Sequence, residues 1–259
     1  MATSETDARA ASAAGDQDEA DTDVHSPGPC TGIPPYTLII PAYNEEARIP
    51  RLLSELAGAK GEVLLICEGE DRTPFLISEF ARANPGVCIR CDRRAGRLGK
   101  GGAILEGMRQ ARAPLVGYMD ADASTSFPQM LELFALLNGA DVVIGSRWIE
   151  GSVLVRQQGL GRRFESRVFN MIIRLVFGLP FKDTQCGAKV FKKAAIDAVI
   201  GQMVSTGFEF DVELLWRIAN SGFRIREHPI SWHDRGDSRV RGGDVLRMFS
   251  GLLRLRFSR

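Results

Sequence analysis

The stretch Pro114-Leu115-Val116-Gly117-Tyr118-Met119-Asp120-Ala121-Asp122 decides how the chain folds. Its first six residues form an apolar run that stops abruptly at two carboxylates one residue apart. Apolar runs of this kind are the buried strands of parallel α/β sheets. Such sheets bind ligands outside the carboxyl ends of their strands. Asp120 and Asp122 therefore fall where an open α/β sheet places its chemistry. Oxygen ligands suit Mg2+ or Mn2+, ions that bridge a carboxylate and the phosphates of a nucleotide. An Asp-x-Asp on its own also occurs on solvated acidic loops, so its meaning depends on what surrounds it.

Working outward, strands and helices alternate on both sides of this run, which predicts a mainly parallel sheet. Upstream, Thr37 to Ile40 reads as the first buried strand, followed by the loop Pro41-Ala42-Tyr43-Asn44-Glu45-Glu46 with Asn44 as N-cap. Ile49, Leu52, Leu53 and Leu56 then recur at helical spacing. Pro41 and Tyr43 offer an apolar wall for a nucleobase, and Glu45 an acceptor for its N–H or for ribose hydroxyls; helix capping around a packed tyrosine explains the same residues. Glu62 to Cys67 is a second strand and again ends in acids, Glu68, Glu70 and Asp71. A third strand, Val87 to Cys91, leads into Arg93-Arg94-Ala95-Gly96-Arg97-Leu98-Gly99-Lys100-Gly101-Gly102, where glycines and four cations precede a helix. Backbone N–H groups at a helix N-terminus, with Lys and Arg beside them, suit a diphosphate. The pattern is neither a P-loop nor the dinucleotide fingerprint.

Downstream, Phe127 to Asn138 reads as a helix and Asp141 to Gly145 as a strand ending at Ser146-Arg147-Trp148. Arg162 to Gly178 alternates arginines with Phe164, Val168, Phe169, Ile172, Ile173 and Val176. That pattern suits a membrane surface and equally a helix packed on the sheet with solvated arginines. Lys182 to Phe191 is loop then strand. Phe208 to Trp216 begins a helix whose acids, Glu209, Asp211 and Glu213, either complement the helix dipole or face an acceptor. His233 to Gly243 is a polar, Gly- and Arg-rich loop of the kind that orders over a ligand.

Bulk composition narrows the classes. The chain has 259 residues, 44% hydrophobic and 25% charged, enough for a globular core. A formal net charge of +1 gives no reason to expect nucleic acid as a partner. Residues 1–33 carry seven acids against Arg9 with almost no large apolar residues, which predicts a disordered acidic tail. The compact domain is expected over 34–243, and 244–259 as a basic amphipathic helix at a membrane surface. Five cysteines argue against a disulfide framework and for a reducing compartment. Cys88-Ile89-Arg90-Cys91 lacks the second pair that a metal site needs. No apolar run reaches the ~18 residues of a membrane span, and no signal peptide is evident. The expected location is cytoplasmic, peripheral to the cytoplasmic face of a membrane.

Seven motifs then appear in order: Ile39-Ile40-Pro41-Ala42-Tyr43-Asn44-Glu45, Gly99-Lys100-Gly101-Gly102-Ala103, Asp120-Ala121-Asp122, Gly145-Ser146-Arg147, Asp183-Thr184-Gln185-Cys186-Gly187, Phe210-Asp211-Val212-Glu213-Leu214 and Arg235-Gly236-Asp237-Ser238-Arg239. Together they resemble the inverting family 2 glycosyltransferases, and among these the polyprenyl-phosphate sugar synthases, dolichyl-phosphate β-glucosyltransferases and dolichyl-phosphate mannose synthases above all. The resemblance covers about Pro35 to Val245. It implies a GT-A fold, a mixed and mostly parallel sheet flanked by helices. It implies that Pro41, Tyr43, Glu45 and Glu68 line the nucleoside pocket of a UDP-glucose or GDP-mannose type donor. Lys100, Ser238 and Arg239 would contact that donor, and Asp120 and Asp122 would hold Mg2+ or Mn2+. Arg147, Arg167 and Gln185 would meet the acceptor phosphate, and Asp122, Asp211 and Arg235 would carry the catalysis. Where the family usually has Asp-Asp-Gly-Ser, this chain has Cys67-Glu68-Gly69-Glu70, which leaves uracil and guanine both open.

The activity implied is transfer of a hexosyl group, glucose or mannose, to a polyprenyl phosphate with inversion. A phosphate acceptor is already anionic, its second pKa being about 6, so it needs cations rather than a general base. Two other readings stay open: transfer to a sugar hydroxyl with Asp211 or Glu213 as base, and a nucleotide-sugar-binding protein without catalysis. Deleting residues 1–32 is expected to leave turnover within about twofold of the full chain, because so polar a segment contributes no core; a steady-state assay of the truncated chain checks this.

Overall fold

The computed structural model of the protein describes residues 32–155, 171, 173–233, 251 and 256. In chain order these give β1 (Thr37–Tyr43), α1 (Ile49–Leu56), β2 (Glu62–Glu68), α2 (Thr73–Ala83), β3 (Ile89–Arg94), α3 (Gly99–Gln110), β4 (Leu115–Tyr118), α4 (Phe127–Ala135), β5 (Val142–Ser146) and β6 (Val153–Leu154). They continue with β7 (Lys189–Lys192), α5 (Lys193–Asp197), α6 (Phe210–Asn220), β8 (Ile225–Pro229) and β9 (Ser231–Trp232).

Seven strands form one sheet in the order β3-β2-β1-β4-β7-β5-β8, and β6 pairs with β9 separately. β1 pairs in parallel with both β2 and β4. β7 runs antiparallel to both neighbours, β4 and β5, and β5 is parallel to β8. The sheet is thus mixed and mostly parallel, as the alternation of elements predicts. From β1 the chain first builds outward through β2 and β3, then crosses to place β4 on the other side. That reversal opens a crevice at the carboxyl ends of β1 and β4, and β4 ends two residues before Asp120.

Both faces of the sheet are covered, which is why its central strands are apolar throughout. Leu38, Ile40, Leu65, Met119 and Val190 face one layer with Leu52 and Leu56 of α1 and Leu133 of α4. Ile39, Leu64, Val116, Tyr118 and Phe191 face the other with Ile104 and Met108 of α3 and Leu214 of α6. Each fully buried Leu or Ile contributes about 1.5–3 kcal/mol. Gly107 lets α3 lie flat on β1: a Cβ there would come within 2.5 Å of Ile39 Cγ2.

Several boundaries differ from those read in the sequence. β1 runs on through Pro41 to Tyr43, so these residues are strand rather than loop. Asn44 does not cap α1. It has φ +50, its amide donates to Glu68 O at 3.3 Å, and its Oδ1 accepts from the Glu70 amide at 3.1 Å. It therefore ties the end of β1 to the end of β2. α3 starts at Gly99 rather than Ala103, so the glycine-rich segment is the first turn of the helix. Cys67, Cys91 and Cys186 are free thiols, with Cys67 and Cys91 Sγ atoms 2.9 Å apart. Cys88 is disulfide-bonded. The 1–33 tail lies outside the described residues except at Gly32 and Ile33. The predicted 244–259 helix lies outside them except at Gly251 and Arg256, and most of the predicted Arg162–Gly178 helix lies outside as well. Among the described residues no helix is long and apolar enough to cross a membrane.

One fully buried ion pair stitches the second layer to the sheet. Lys189 of β7 donates to Asp211 Oδ1 of α6 at 2.5 Å and to Cys186 O at 2.6 Å. Tyr118 donates its hydroxyl to the same Asp211 oxygen. Removing one partner of a buried pair strands the other charge. Lys189→Met is therefore expected to lower stability by about 3–5 kcal/mol, and Lys189→Met combined with Asp211→Leu to recover at least half of that loss, as measured by urea denaturation.

Candidate active site

The site collects at the rim where β1, β2, β4 and β5 end and where the antiparallel β7 begins. Because β7 runs the other way, the loop before it, Asp183 to Ala188, arrives at the same edge as the strand ends. Gly187 belongs there because a Cβ would overlap the Asp120 carboxylate.

Asp120 is the centre of the charge arrangement. Lys100, in the first turn of α3, places Nζ 2.6 Å from Asp120 Oδ1. Burial pushes the Asp120 carboxyl up, but Lys100, and beyond it Lys189 and Arg147, outweigh burial and hold it below the usual carboxylate range. Asp122 accepts the Ser124 amide at 2.9 Å. Burial, and then the neighbouring Asp120, push its carboxyl up. Two carboxylates this close repel, and a divalent cation between them would relieve the repulsion. Among the described residues no group of three or more His, Cys, Asp or Glu side chains could hold a metal ion. Two carboxylates are the oxygen donors that Asp120 and Asp122 could offer a hard cation such as Mg2+ or Mn2+.

Apolar and acidic side chains gather at the ends of β1 and β2. Tyr43 is half-buried at the end of β1, and the Arg97 guanidinium stacks 4.4 Å from its ring centroid. Pro41, two residues earlier, is also half-buried. Glu68 is 6% exposed, and its Oε1 has no hydrogen-bond partner among the described residues. Burial pushes its carboxyl up, opposed by the Gly99 and Leu98 amides and by Arg97. Glu45 behaves differently. Both of its carboxylate oxygens accept from Arg48, at 2.6 and 2.7 Å, and its amide donates to Thr73 Oγ1. It therefore anchors the loop between β1 and α1.

On the opposite side, Arg147 makes a two-pronged pair with Asp183, Nε to Oδ2 at 2.7 Å and Nη2 to Oδ1 at 2.9 Å. Its guanidinium also lies 5.8 Å from the Trp148 ring and 5.5 Å from the Trp232 ring. Asp183 is fully buried, so much of this arginine's charge is spent inside the protein. Gln185 sits half-buried in the same loop.

Two of the candidate acids lie inside the protein. Asp211 is 2% exposed, and its Oδ1 accepts from Lys189 and Tyr118. Glu213 is fully buried and accepts from the Val204 and Ser205 amides and from Arg217. Arg167, Arg235, Ser238 and Arg239 lie outside the described residues. Sequence reading missed Arg97, Asp183 as the partner of Arg147, and Lys189. Arg97 stands among four cations with no pattern to single it out. Asp183 opens a quoted motif, whereas a lysine inside a buried strand gives no signal at all.

Comparison with known proteins agrees with this architecture. Residues 37–200 match glycosyl transferase family 2. The glycosyltransferase AglD of Haloferax volcanii is 31% identical over 230 residues, which is 84% of this chain and 36% of AglD. The chain thus spans about a third of that relative's length. The dolichyl-phosphate beta-glucosyltransferase ALG5C of Trichomonas vaginalis is 28% identical over 238 residues, 85% of this chain and 70% of the relative. Among solved structures, a mannosyltransferase from Pyrobaculum calidifontis in complex with GDP-Man and Mn2+ superposes with a TM-score of 0.59 at 19% identity, over 86% of this chain and 65% of that one. The fold is of the GT-A type, and the chain belongs to glycosyl transferase family 2.

Proposed function

We propose that the protein transfers a hexosyl group, glucose or mannose, from a nucleotide-diphosphate sugar to a polyprenyl phosphate such as dolichyl phosphate, with inversion at the anomeric carbon. One observation carries the choice of acceptor. The two carboxylates that a hydroxyl acceptor would need as base are both buried: Asp211 accepts from Lys189 and Tyr118 through Oδ1, and Glu213 accepts from two backbone amides and from Arg217. An acceptor that is already an anion needs no base, only cations to position it.

In this reading each candidate residue has a role. Pro41, Tyr43 and Glu68 line the nucleoside pocket, and the unpartnered Glu68 Oε1 is free to accept from a base N–H. Asp120 and Asp122 would hold Mg2+ or Mn2+, which when bound supplies charge neutralisation for the leaving nucleoside diphosphate. Lys100 adds a further positive charge on the same side. Arg147, fixed by Asp183 and two indoles, and Arg167 orient the lipid phosphate, with Gln185 beside them. Arg235, Ser238 and Arg239, outside the described residues, are assigned to the donor phosphates by the motif resemblance alone. His233, which precedes them, donates its amide to Ser124 O at 2.9 Å, next to Asp122. Attachment to a membrane surface is supported by Met171 and Leu175, which are 55% and 78% exposed one helical turn apart with exposed Arg174 between them.

Mass spectrometry of products formed from a panel of UDP- and GDP-sugars, offered polyprenyl phosphate and free sugars side by side, tests the reading. A hexosyl phosphoryl lipid is expected. Sugar added only to free hydroxyls would overturn it. Asp122→Ala is expected to lower turnover by about a hundredfold or more, and chelation of divalent ions to do the same until Mn2+ is restored.

A further inference from the structure

We propose that Lys100 is a tethered cation that occupies Asp120 while the site holds no donor, so that the divalent ion and the donor enter by exchanging this one side chain's partner. The inference rests on the reading of Asp120 and Asp122 as metal ligands.

Three observations carry it. First, Lys100 Nζ is 2.6 Å from Asp120 Oδ1, with the side chains 20% and 36% exposed, so the contact is formed and partly sheltered from water. Second, both ends of that contact rest on fixed backbone. The Gly102 amide donates to Thr206 O at 3.0 Å, and a Cβ on Gly99, whose φ is +76, would lie 3.0 Å from the same carbonyl. This pins the first turn of α3. On the other side Gly187 packs its Cα against the Asp120 carboxylate. Only the lysine stem, with its flexible four-carbon chain, is free to change partner. Third, the neighbouring cations are already committed, Lys189 to Asp211 and Arg147 to Asp183. Lys100 is the cation that can be given up without breaking a second pair among these.

The charge count then sets the order of events. Lys100, Asp120 and Asp122 together carry a net charge of −1. Adding a dication while Lys100 stays would overshoot to +1, and a nucleoside diphosphate restores the balance. Lys100 leaving Asp120 for the diphosphate opens the carboxylate to the ion, and the ion's occupation of Asp120 releases Lys100 to the diphosphate. Such linkage is reciprocal.

The test is Mn2+ binding to the nucleotide-free full chain, read from the paramagnetic resonance signal of free Mn2+ rather than from activity. Lys100→Gln, with Lys100→Met as a second neutral variant, is expected to bind Mn2+ about tenfold more tightly than the parent chain, a shift within the usual coupling range. Lys100→Arg keeps a cation and is expected to stay weak. In the absence of metal, Lys100→Gln is expected to bind UDP and GDP more weakly than the parent. Unchanged or weaker Mn2+ binding in both neutral variants, with unfolding curves showing them folded, overturns the proposal. Mn2+ binding that is the same in Asp122→Ala as in the parent sinks the metal-site reading itself, which is a separate failure.

Discussion

A carboxylate buried at the rim of the sheet stays charged only if a cation is brought to it, and the candidate site is arranged around that constraint. Asp120 meets Lys100, Asp183 meets Arg147, and Asp211 meets Lys189, each within hydrogen-bonding distance. A buried pair returns little net stability, because desolvating two ions offsets most of their attraction. What these pairs do is fix positions. Lys189 ties β7 to α6 and holds the Cys186 carbonyl. Asp183 aims Arg147, and Gly187 lets that same loop come up against Asp120.

The antiparallel strand makes this convergence possible. If β7 ran parallel to its neighbours, the Asp183–Ala188 loop would emerge at the opposite edge of the sheet. Reversing one strand in the middle of a parallel sheet brings a loop from the C-terminal half of the chain onto the rim formed by the N-terminal half. The parallel pair β1 and β4 supplies the crevice, and the reversed strand supplies its far wall.

Much of the fold was legible because burial on both faces writes itself into sequence. Leu38, Ile39 and Ile40, or Val63, Leu64, Leu65 and Ile66, can only be interior strands. The abrupt stop at Asp120 marked the rim correctly. Boundaries shifted where local chemistry misled: Pro41 reads as a loop residue but sits within β1, and glycines that read as a loop form the first turn of α3. The partners of charged side chains were not legible. Asp211 has the look of an acceptor-facing acid at a helix start, and only the tertiary fold brings Lys189 and Tyr118 onto it. Glu45 likewise reads as a free acceptor until Arg48 folds back over it.

The cage around Arg147 has a practical side. Two of the protein's three tryptophans, Trp148 and Trp232, flank this guanidinium, while Trp216 packs edge-on against Phe177 on the far side of the sheet from α1 and α4. Indole emission responds to nearby charge and to solvent, so the molecule carries its own optical gauge beside Arg147. Whatever shifts that arginine alters the light from two rings and leaves the third as an internal reference.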